Sequence, residues 1–242
     1  MVSYHRGVQE MINPRSDGVR LFLRRWYGPG GGRGNLLAPP ARGVPHELAE
    51  WHKEASSVGS PVTFQDYPVP LSELTRSEDG MMVFWIENQG AYYWAVDPDE
   101  DDSVVVVREY GSDPWLTTGE TLGRFLLHCT VREAIVGAES KLAAVVPESV
   151  LHGQVLTRLI PLGFPAMATE SSSTRLFCRH DALVMVMPPP VGYSLPGESS
   201  WMAVVAVAHG QDVRKVDLGL ADFVLSGEAR VEPVDAFEEP PF

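Results

Sequence analysis

The run Asp97-Pro98-Asp99-Glu100-Asp101-Asp102 is the densest group of charged side chains in the sequence. Carboxylates at alternate positions are calcium ligands, and positions 1, 3 and 5 counted from Asp97 carry them. A calcium loop also needs glycine at position 6 and glutamate at position 12, where this chain has Asp102 and Arg108. The run therefore does not fulfil the requirements of a calcium loop.

Three interpretations of this acidic run remain open. It is a solvated turn between two strands, an adventitious site for a divalent ion, or a negative patch that faces the basic site of a protein partner. In the third interpretation the partner contacts are made by Asp99, Glu100, Asp101 and Asp102. Their carboxylates would then affect the association rate and the relative placement of the two proteins more than the affinity.

The histidines and cysteines lack the spacing of a metal site or a catalytic pair. No His-Glu-x-x-His motif occurs among the seven histidines, at positions 5, 46, 52, 128, 152, 180 and 209. Cys129 and Cys178 are too far apart in sequence for a metal knuckle, and two cysteines form no disulfide framework. His128 neighbours Cys129 on a predicted helix, so the two side chains point about 100° apart. We predict a buried, structural Cys129, no metal and no cofactor.

Other catalytic motifs are incomplete. Gly197-Glu198-Ser199-Ser200-Trp201 lacks the second glycine of a nucleophile elbow. The glycine-rich run 28–34 follows a predicted helix and lacks the lysine of a nucleotide-binding loop. Paired carboxylates for glycoside hydrolysis stay open, because their separation is a three-dimensional quantity. The sequence predicts a protein that is not an enzyme, with an enzyme built from distant residues as an alternative.

Aromatic residues are concentrated between positions 84 and 94, namely Phe84, Trp85, Tyr92, Tyr93 and Trp94. On a sheet most such residues belong to the core. Trp and Tyr are also the residues that dominate protein interfaces when a sheet face meets a partner. We therefore take Trp85 and Tyr93 as candidate partner contacts.

Bulk composition limits the class of partner. Acidic residues outnumber basic residues by 32 to 19, which gives a formal charge of −13. A negative field repels phosphate backbones, so nucleic acid is a poor partner, whereas a basic protein would be attracted. The N-terminus shows no secretory signal, and no apolar run approaches the ~20 residues of a membrane span. These features predict a cytoplasmic protein and leave its oligomeric state open.

The elements that position these residues begin with a β-hairpin. Residues 81–86 and 91–96 are rich in aromatic and β-branched side chains, and the intervening Glu87-Asn88-Gln89-Gly90 suits a tight reversal. Both faces of the first run are apolar, which predicts a central strand covered on both sides. Residues 103–107 supply a third strand.

Helices and further strands follow from the hydrophobic periodicity. Helices are predicted over about 16–26, 44–55 and 148–160. Thr117 and Glu120 have the spacing of a capping box and predict the start of a helix that ends at Gly137. Residues 174–178, 182–187 and 201–207 are predicted strands.

Three of these segments together resemble the SUKH superfamily, which includes fungal cell-wall assembly regulators and many bacterial immunity proteins. The resemblance covers roughly residues 16–140 and is closest to actinobacterial members. It is carried by the proline-led helix 44–52, by the hairpin 83–97 and by the helix that starts near Leu122. It implies an α+β domain with helices packed on a mostly antiparallel central sheet, and a protein that binds and neutralises a toxin domain, often a nuclease.

We accordingly predict a SUKH-like α+β domain over residues 1–163 and a β-rich C-terminal extension over 164–242, as a possible part of the same sheet. The predicted function is that of a non-enzymatic immunity protein acting on a cognate toxin domain, with no direct nucleic-acid or membrane partner. A regulatory scaffold for a cellular protein is the alternative, since fungal members of the superfamily act in that way. Fold resemblance alone does not decide between them.

Overall fold

A computed structural model describes residues 8–12, 17–28, 43–100, 102–112, 114–195 and 197–225. The fold is α+β, as predicted, with two five-stranded antiparallel sheets. The helices are α1 (Gln9–Ile12), α2 (Gly18–Tyr27), α3 (His46–Ser57), α4 (Leu122–Val136) and α5 (Glu148–Val150). A π-helical turn (Leu151–Val155) and a 3-10 turn (Leu156–Arg158) continue α5, and further 3-10 turns lie at Val213–Lys215 and Ala221–Phe223.

The first sheet is a simple meander, in which each strand pairs with the next one along the chain. Its strands are β1 (Tyr67–Pro68), β2 (Met82–Ile86), β3 (Tyr92–Val96), β4 (Val104–Glu109) and β5 (Leu116–Thr121). The predicted hairpin is confirmed as β2 and β3, with Gly90 at a φ of 69° in the turn. Glycine adopts this left-handed conformation without steric cost. The predicted third strand is confirmed as β4.

A second sheet contains the strands beyond the central helix. They are β6 (Lys141–Pro147), β7 (Ile160–Pro161), β8 (Arg175–Cys178), β9 (Leu183–Met187) and β10 (Ser200–Ala206), in the order β6-β10-β9-β8-β7. The three predicted C-terminal strands are thus present, but they extend a separate sheet and not the first one. The predicted division at residue 163 falls inside this sheet, between the paired strands β7 and β8. Residues 226–242 of the predicted extension lie outside the described residues.

Helix α4 is the centre of the molecule. All of its residues from Phe125 to Ile135 are buried, because the helix contacts α2, α3 and strands of both sheets. One hydrophobic core joins Phe84 and Trp94 of the first sheet, Phe125 of α4 and Leu183 of the second sheet. Each such side chain stabilises the fold by about 1.5–3 kcal/mol on burial. A second core lies between the second sheet and the helical turns at 151–158.

The predicted capping box is wrong. Thr117 and Glu120 belong to β5, where Thr117 pairs with Val106, and α4 begins only at Leu122. Pairing with β4 therefore prevails over the local capping pattern at these positions. The buried carboxylate of Glu120 lies beside His128, with 2.9 Å between Oε2 and Nδ1.

Candidate protein-interaction surface

The first sheet has one face in the core and one face turned outward. Strand pairing places Tyr67 opposite Ile86, Ile86 opposite Tyr93 and Tyr93 opposite Arg108. The pairing of Leu116 with Val107 continues the series, because it places the preceding residue, Trp115, opposite Arg108. Paired residues share a face of the sheet, so these five side chains form one row that crosses β1 to β4 and ends just before β5. We call Tyr67, Ile86, Tyr93, Arg108 and Trp115 the outer row.

The outer row offers aromatic and aliphatic surface to solvent. Tyr67 is 46% exposed, whereas the other four members are half-buried. The guanidinium carbon of Arg108 lies 4.1 Å from the centre of the Trp115 ring, which is a cation–π contact. Tyr110, just beyond β4, is 75% exposed and its ring centre lies 6.3 Å from that of Tyr93. Tyrosine, tryptophan and arginine are the side chains most often found at the energetic centre of protein interfaces.

Asp79 fixes one end of this row. Its Oδ2 accepts a hydrogen bond of 2.8 Å from the Trp115 indole and lies 3.4 Å from Nη1 of Arg108. Its Oδ1 accepts hydrogen bonds from the Ser77 hydroxyl and from the backbone N–H of Met81. The side-chain hydrogen bonds from Ser77 and Trp115 are the main reason that the pKa of Asp79 falls to about 2. Asp79 is therefore ionised at every pH at which proteins normally work.

A buried ionic cluster holds the backbone beneath the row. Nη1 of Arg132 lies 2.9 Å from Asp66, and its Nε lies 2.6 Å from Glu170. Glu133 accepts hydrogen bonds from the backbone N–H groups of residues 64, 65 and 66, at 2.5, 2.8 and 3.1 Å. Asp66 also accepts a bond from the backbone N–H of Asn88 in the β2–β3 turn. This cluster fixes the chain that leads directly into Tyr67.

The predicted partner contact Trp85 is wrong. Its side chain is fully buried and lies edge-to-face against Trp51, with 5.4 Å between the ring centres. A register shift between Val83 and Trp85 is the reason, because the bulge turns both Phe84 and Trp85 inward. The same bulge leaves Ile86 in the outward row with Tyr93, so Tyr93 stays a candidate partner contact.

The acidic turn between β3 and β4 contains one carboxylate that is paired within the chain and two that are exposed to solvent. Asp99 accepts two hydrogen bonds of 2.5 Å from Arg76, and this guanidinium lowers the pKa of Asp99. Glu100 and Asp102 are exposed, and Asp102 has a φ of 57° in the left-handed region. Asp101 lies outside the described residues. Of the acidic partner contacts expected from sequence, Asp99 is thus already bound within the chain, whereas Glu100 and Asp102 face solvent.

The edges of the first sheet are poorly suited to the addition of a further strand. In the edge strand β5 the Thr117 hydroxyl accepts a bond from the Gly119 N–H, and the Thr118 hydroxyl accepts one from the Glu120 N–H. The other edge, β1, is two residues long and contains Pro68, which has no N–H to donate. Short strands, proline and locally satisfied amides are devices that block edge pairing. The outward face is therefore the better candidate for contact.

Two buried side chains of α4, His128 and Cys129, have structural surroundings and not catalytic ones. The imidazole of His128 stacks on Phe164, with 4.6 Å between ring centres and 2° between ring planes. Cys129 is buried, as predicted, and burial raises the pKa of its thiol, which disfavours the nucleophilic thiolate. Among the described residues no group of three histidine, cysteine or acidic side chains is placed to hold a metal ion.

Two shallow clefts lie near the second sheet. The larger, of about 570 Å³, is lined by polar side chains that include Lys141, Gln211, Asp212 and Arg214. The pKa of Asp212 falls to about 2 because Arg214 donates hydrogen bonds to it, so these two charges in the cleft are paired with each other. No helix in the described part of the chain is long and apolar enough to cross a membrane.

Comparisons of the chain with family models, with curated proteins and with solved structures find no match. The resemblance to the SUKH superfamily therefore stays a prediction. The fold class and the outer row follow from the structure itself.

Proposed function

We propose that this chain is a binding protein whose outer row forms the centre of an interface with a basic protein domain. The observation that carries this proposal is the row itself, in which aromatic, aliphatic and arginine side chains lie side by side across the outward face of the first sheet. Ring contacts and hydrogen bonds hold most of these side chains in place before any partner arrives. Pre-organisation of this kind reduces the entropy lost on binding.

Charge selects the class of partner. The chain has a formal charge of −13, and the exposed carboxylates of Glu100 and Asp102 lie in the turn that joins two strands of the row. Such a field attracts a basic domain and repels an acidic one, including a second copy of this chain. A nuclease is a basic partner of this kind, because a surface that binds a phosphate backbone carries positive charge.

The particular function that we propose is that of an immunity protein, which binds and neutralises a cognate toxin domain in the cytoplasm. The SUKH-like segments support a toxin domain as the partner. The negative charge of the chain supports a partner domain that is basic. Neutralisation requires only that the bound chain blocks access to the toxin's active site. No catalytic group of this chain takes part.

Co-expression tests this proposal. Each toxin domain encoded beside the gene is expressed in a bacterial host with the full chain, with a Y93A/Y110A variant, or with a Y193A variant. Tyr193 is the matched control, because it is 52% exposed but lies between β9 and β10 of the second sheet. The proposal expects growth with the full chain and with Y193A, and growth arrest with Y93A/Y110A. Arrest by every toxin in the presence of the folded chain contradicts it.

A further inference from the structure

Three tyrosines surround the β2–β3 turn at one end of the first sheet. The Tyr67 hydroxyl donates a hydrogen bond of 3.1 Å to the backbone oxygen of Asn88. The Tyr93 hydroxyl lies only 3.6 Å from the position that a Cβ on Gly90 would take. Tyr110 donates its backbone N–H to Ala91 at 2.7 Å and contacts the Tyr93 ring. We call Tyr67, Tyr93 and Tyr110 the tyrosine cluster.

The surroundings of the tyrosine cluster are negative. Glu87 starts the turn, and its carboxylate accepts hydrogen bonds from the backbone N–H groups of Gln89 and Ala91. Asp66, which is paired with Arg132, precedes Tyr67. The pKa of Tyr67 is raised first by burial and then by Glu87, with Tyr93 and Asp66 adding in the same direction. The nearest cation of the outer row is Arg108, and its charge is opposed by Asp79 at 3.4 Å.

Aromatic faces and carboxylates together favour one kind of ligand. The π-system of a tyrosine ring is negative on its face and attracts a cation placed over it. Nearby carboxylates add to the attraction, and they disfavour an anionic group at the same place. Several rings around one position bind a cation better than a single ring, as in the aromatic cages that hold ammonium groups.

We infer that the tyrosine cluster receives a lysine or arginine side chain of the protein partner. This inference rests on the proposed function, and it adds the chemistry of the partner's central contact. The cation lies against the ring faces of Tyr93 and Tyr110, and its charge is balanced by the carboxylates around the turn. Specificity then comes from the position of one basic side chain and not from the total charge of the partner alone.

A pair of peptides tests the inference without a known partner. One is a glycine-flanked peptide with two arginines, and the other carries two citrullines, which keep the shape of the side chain but lack its charge. Both are titrated into the full chain, and ring signals of the tyrosines are followed by NMR. The arginine peptide is expected to shift Tyr93 and Tyr110 but not Tyr193, and the citrulline peptide is expected to shift none of them. Equal shifts from both peptides, or arginine-induced shifts spread over all surface tyrosines, overturn the inference.

Variants of Tyr110 distinguish the contribution of its aromatic ring from that of an apolar side chain without a ring. Y110L is expected to weaken binding of the arginine peptide about three- to fivefold, because it removes a cation–π contact of an exposed ring. Y110F keeps the π face and is expected to bind as the wild type does, as is the control Y193L. Wild-type affinity in Y110L, or a loss in Y110F equal to that in Y110L, contradicts the inference. Thermal unfolding of each variant checks that the fold is retained.

The outcomes for the two proposals are distinct. Suppose a toxin domain binds the wild type and loses affinity in Y93A/Y110A but not in Y93L/Y110L. The tyrosine cluster then acts only as an apolar contact, so the inference fails and the proposed function stands. If the arginine peptide binds at the tyrosine cluster but no toxin domain binds the chain, the inference stands and the proposed function fails.

Discussion

The indole N–H of Trp115 donates a 2.8 Å hydrogen bond to Asp79, which joins the chain just before β2 to the chain just before β5. The two residues are 36 positions apart in the sequence, yet they meet at the outward face of the first sheet. The same carboxylate lies 3.4 Å from Arg108, so one residue orients two members of the outer row. Asp79 is a positioning residue for this surface.

Replacement of Asp79 by alanine tests that role. D79A is expected to shift the indole Nε1–H signal of Trp115 in NMR spectra and to speed its exchange with solvent, because the acceptor is lost. The free energy of unfolding should change by less than about 1 kcal/mol, since the Asp79 side chain is 40% exposed and ion pairs of exposed groups are weak. The control D222A removes an exposed carboxylate of the second half and should leave the Trp115 signal in place. An unchanged signal in D79A would show that Asp79 does not hold the indole.

Replacement of Arg132 by alanine tests the buried cluster beneath the row. R132A leaves Asp66, Glu133 and Glu170 without their cation, and breaking a buried ion pair costs about 3–5 kcal/mol. Urea unfolding at pH 7 measures this loss. The control R158A breaks an exposed pair with Asp217 and should cost less than about 1 kcal/mol. Equal stability of the two variants would contradict the structural role of the cluster.

The pH dependence of R132A follows from the same cluster. Burial raises the pKa values of Asp66 and Glu133 in the folded state. Protonation therefore favours the folded state, and this stabilisation is complete below the ordinary carboxyl pKa of about 4 and is lost as pH rises through the folded pKa. Arg132 lowers both pKa values, so its removal in R132A raises them further and strengthens this effect. The stability deficit of R132A relative to wild type should thus shrink between pH 7 and pH 4. A deficit that grows toward low pH has the wrong sign for this account.

His52 predicts a pH effect in the opposite direction. Burial lowers its pKa from 6.5 to about 4, and its Nε2 is buried without a hydrogen-bond partner. The neutral imidazole is favoured in the fold, so stability present above pH 6.5 is lost as pH falls from 6.5 toward 4. The loss is about 2 kcal/mol after a reduction for the partial exposure of the ring. H52Q should remove this part of the pH dependence in urea unfolding, whereas H152Q, at an exposed position, should retain it.

The exposed carboxylates of the acidic turn should act on association rate. A variant with E100Q and D102N should lower the rate of binding to a toxin domain about three- to tenfold at low salt, with little change in dissociation rate. Surface plasmon resonance at two salt concentrations measures both rates. E198Q with D222N changes the net charge equally from exposed positions of the second half and serves as the control. An equal effect of both pairs would show that only the net charge of −13 matters.

Local patterns in the sequence predict the local parts of this structure. The hairpin β2–β3 follows from two β-rich runs and a turn that contains Gly90, all within 15 residues. Helix α3 follows from its apolar stripe, which includes Leu48 and Trp51. In each case the residues that decide the element are neighbours in the chain.

Long-range pairing decides what the sequence pattern misses. Thr117 and Glu120 have the spacing of a capping box, but Thr117 pairs with Val106 on β4. No local pattern in the sequence decides between a helix cap and a strand at this position. The bulge at Val83–Trp85 turns Trp85 inward, so this predicted partner contact is buried. Tyr67, Tyr110 and Trp115 join the surface only through the registers of the meander.

The affinity of a purified toxin domain for three forms of the chain tests the central claim most directly. Isothermal titration calorimetry compares wild type, Y93A/Y110A and Y193A, with thermal unfolding as the check on folding. If the outer row and the adjoining tyrosines form the centre of the interface, Y93A/Y110A binds at least about 30-fold more weakly, as expected for a hot spot of about 2 kcal/mol. Y193A then binds within about twofold of wild type, which corresponds to less than about 0.5 kcal/mol. Wild-type affinity in a folded Y93A/Y110A variant would contradict the account.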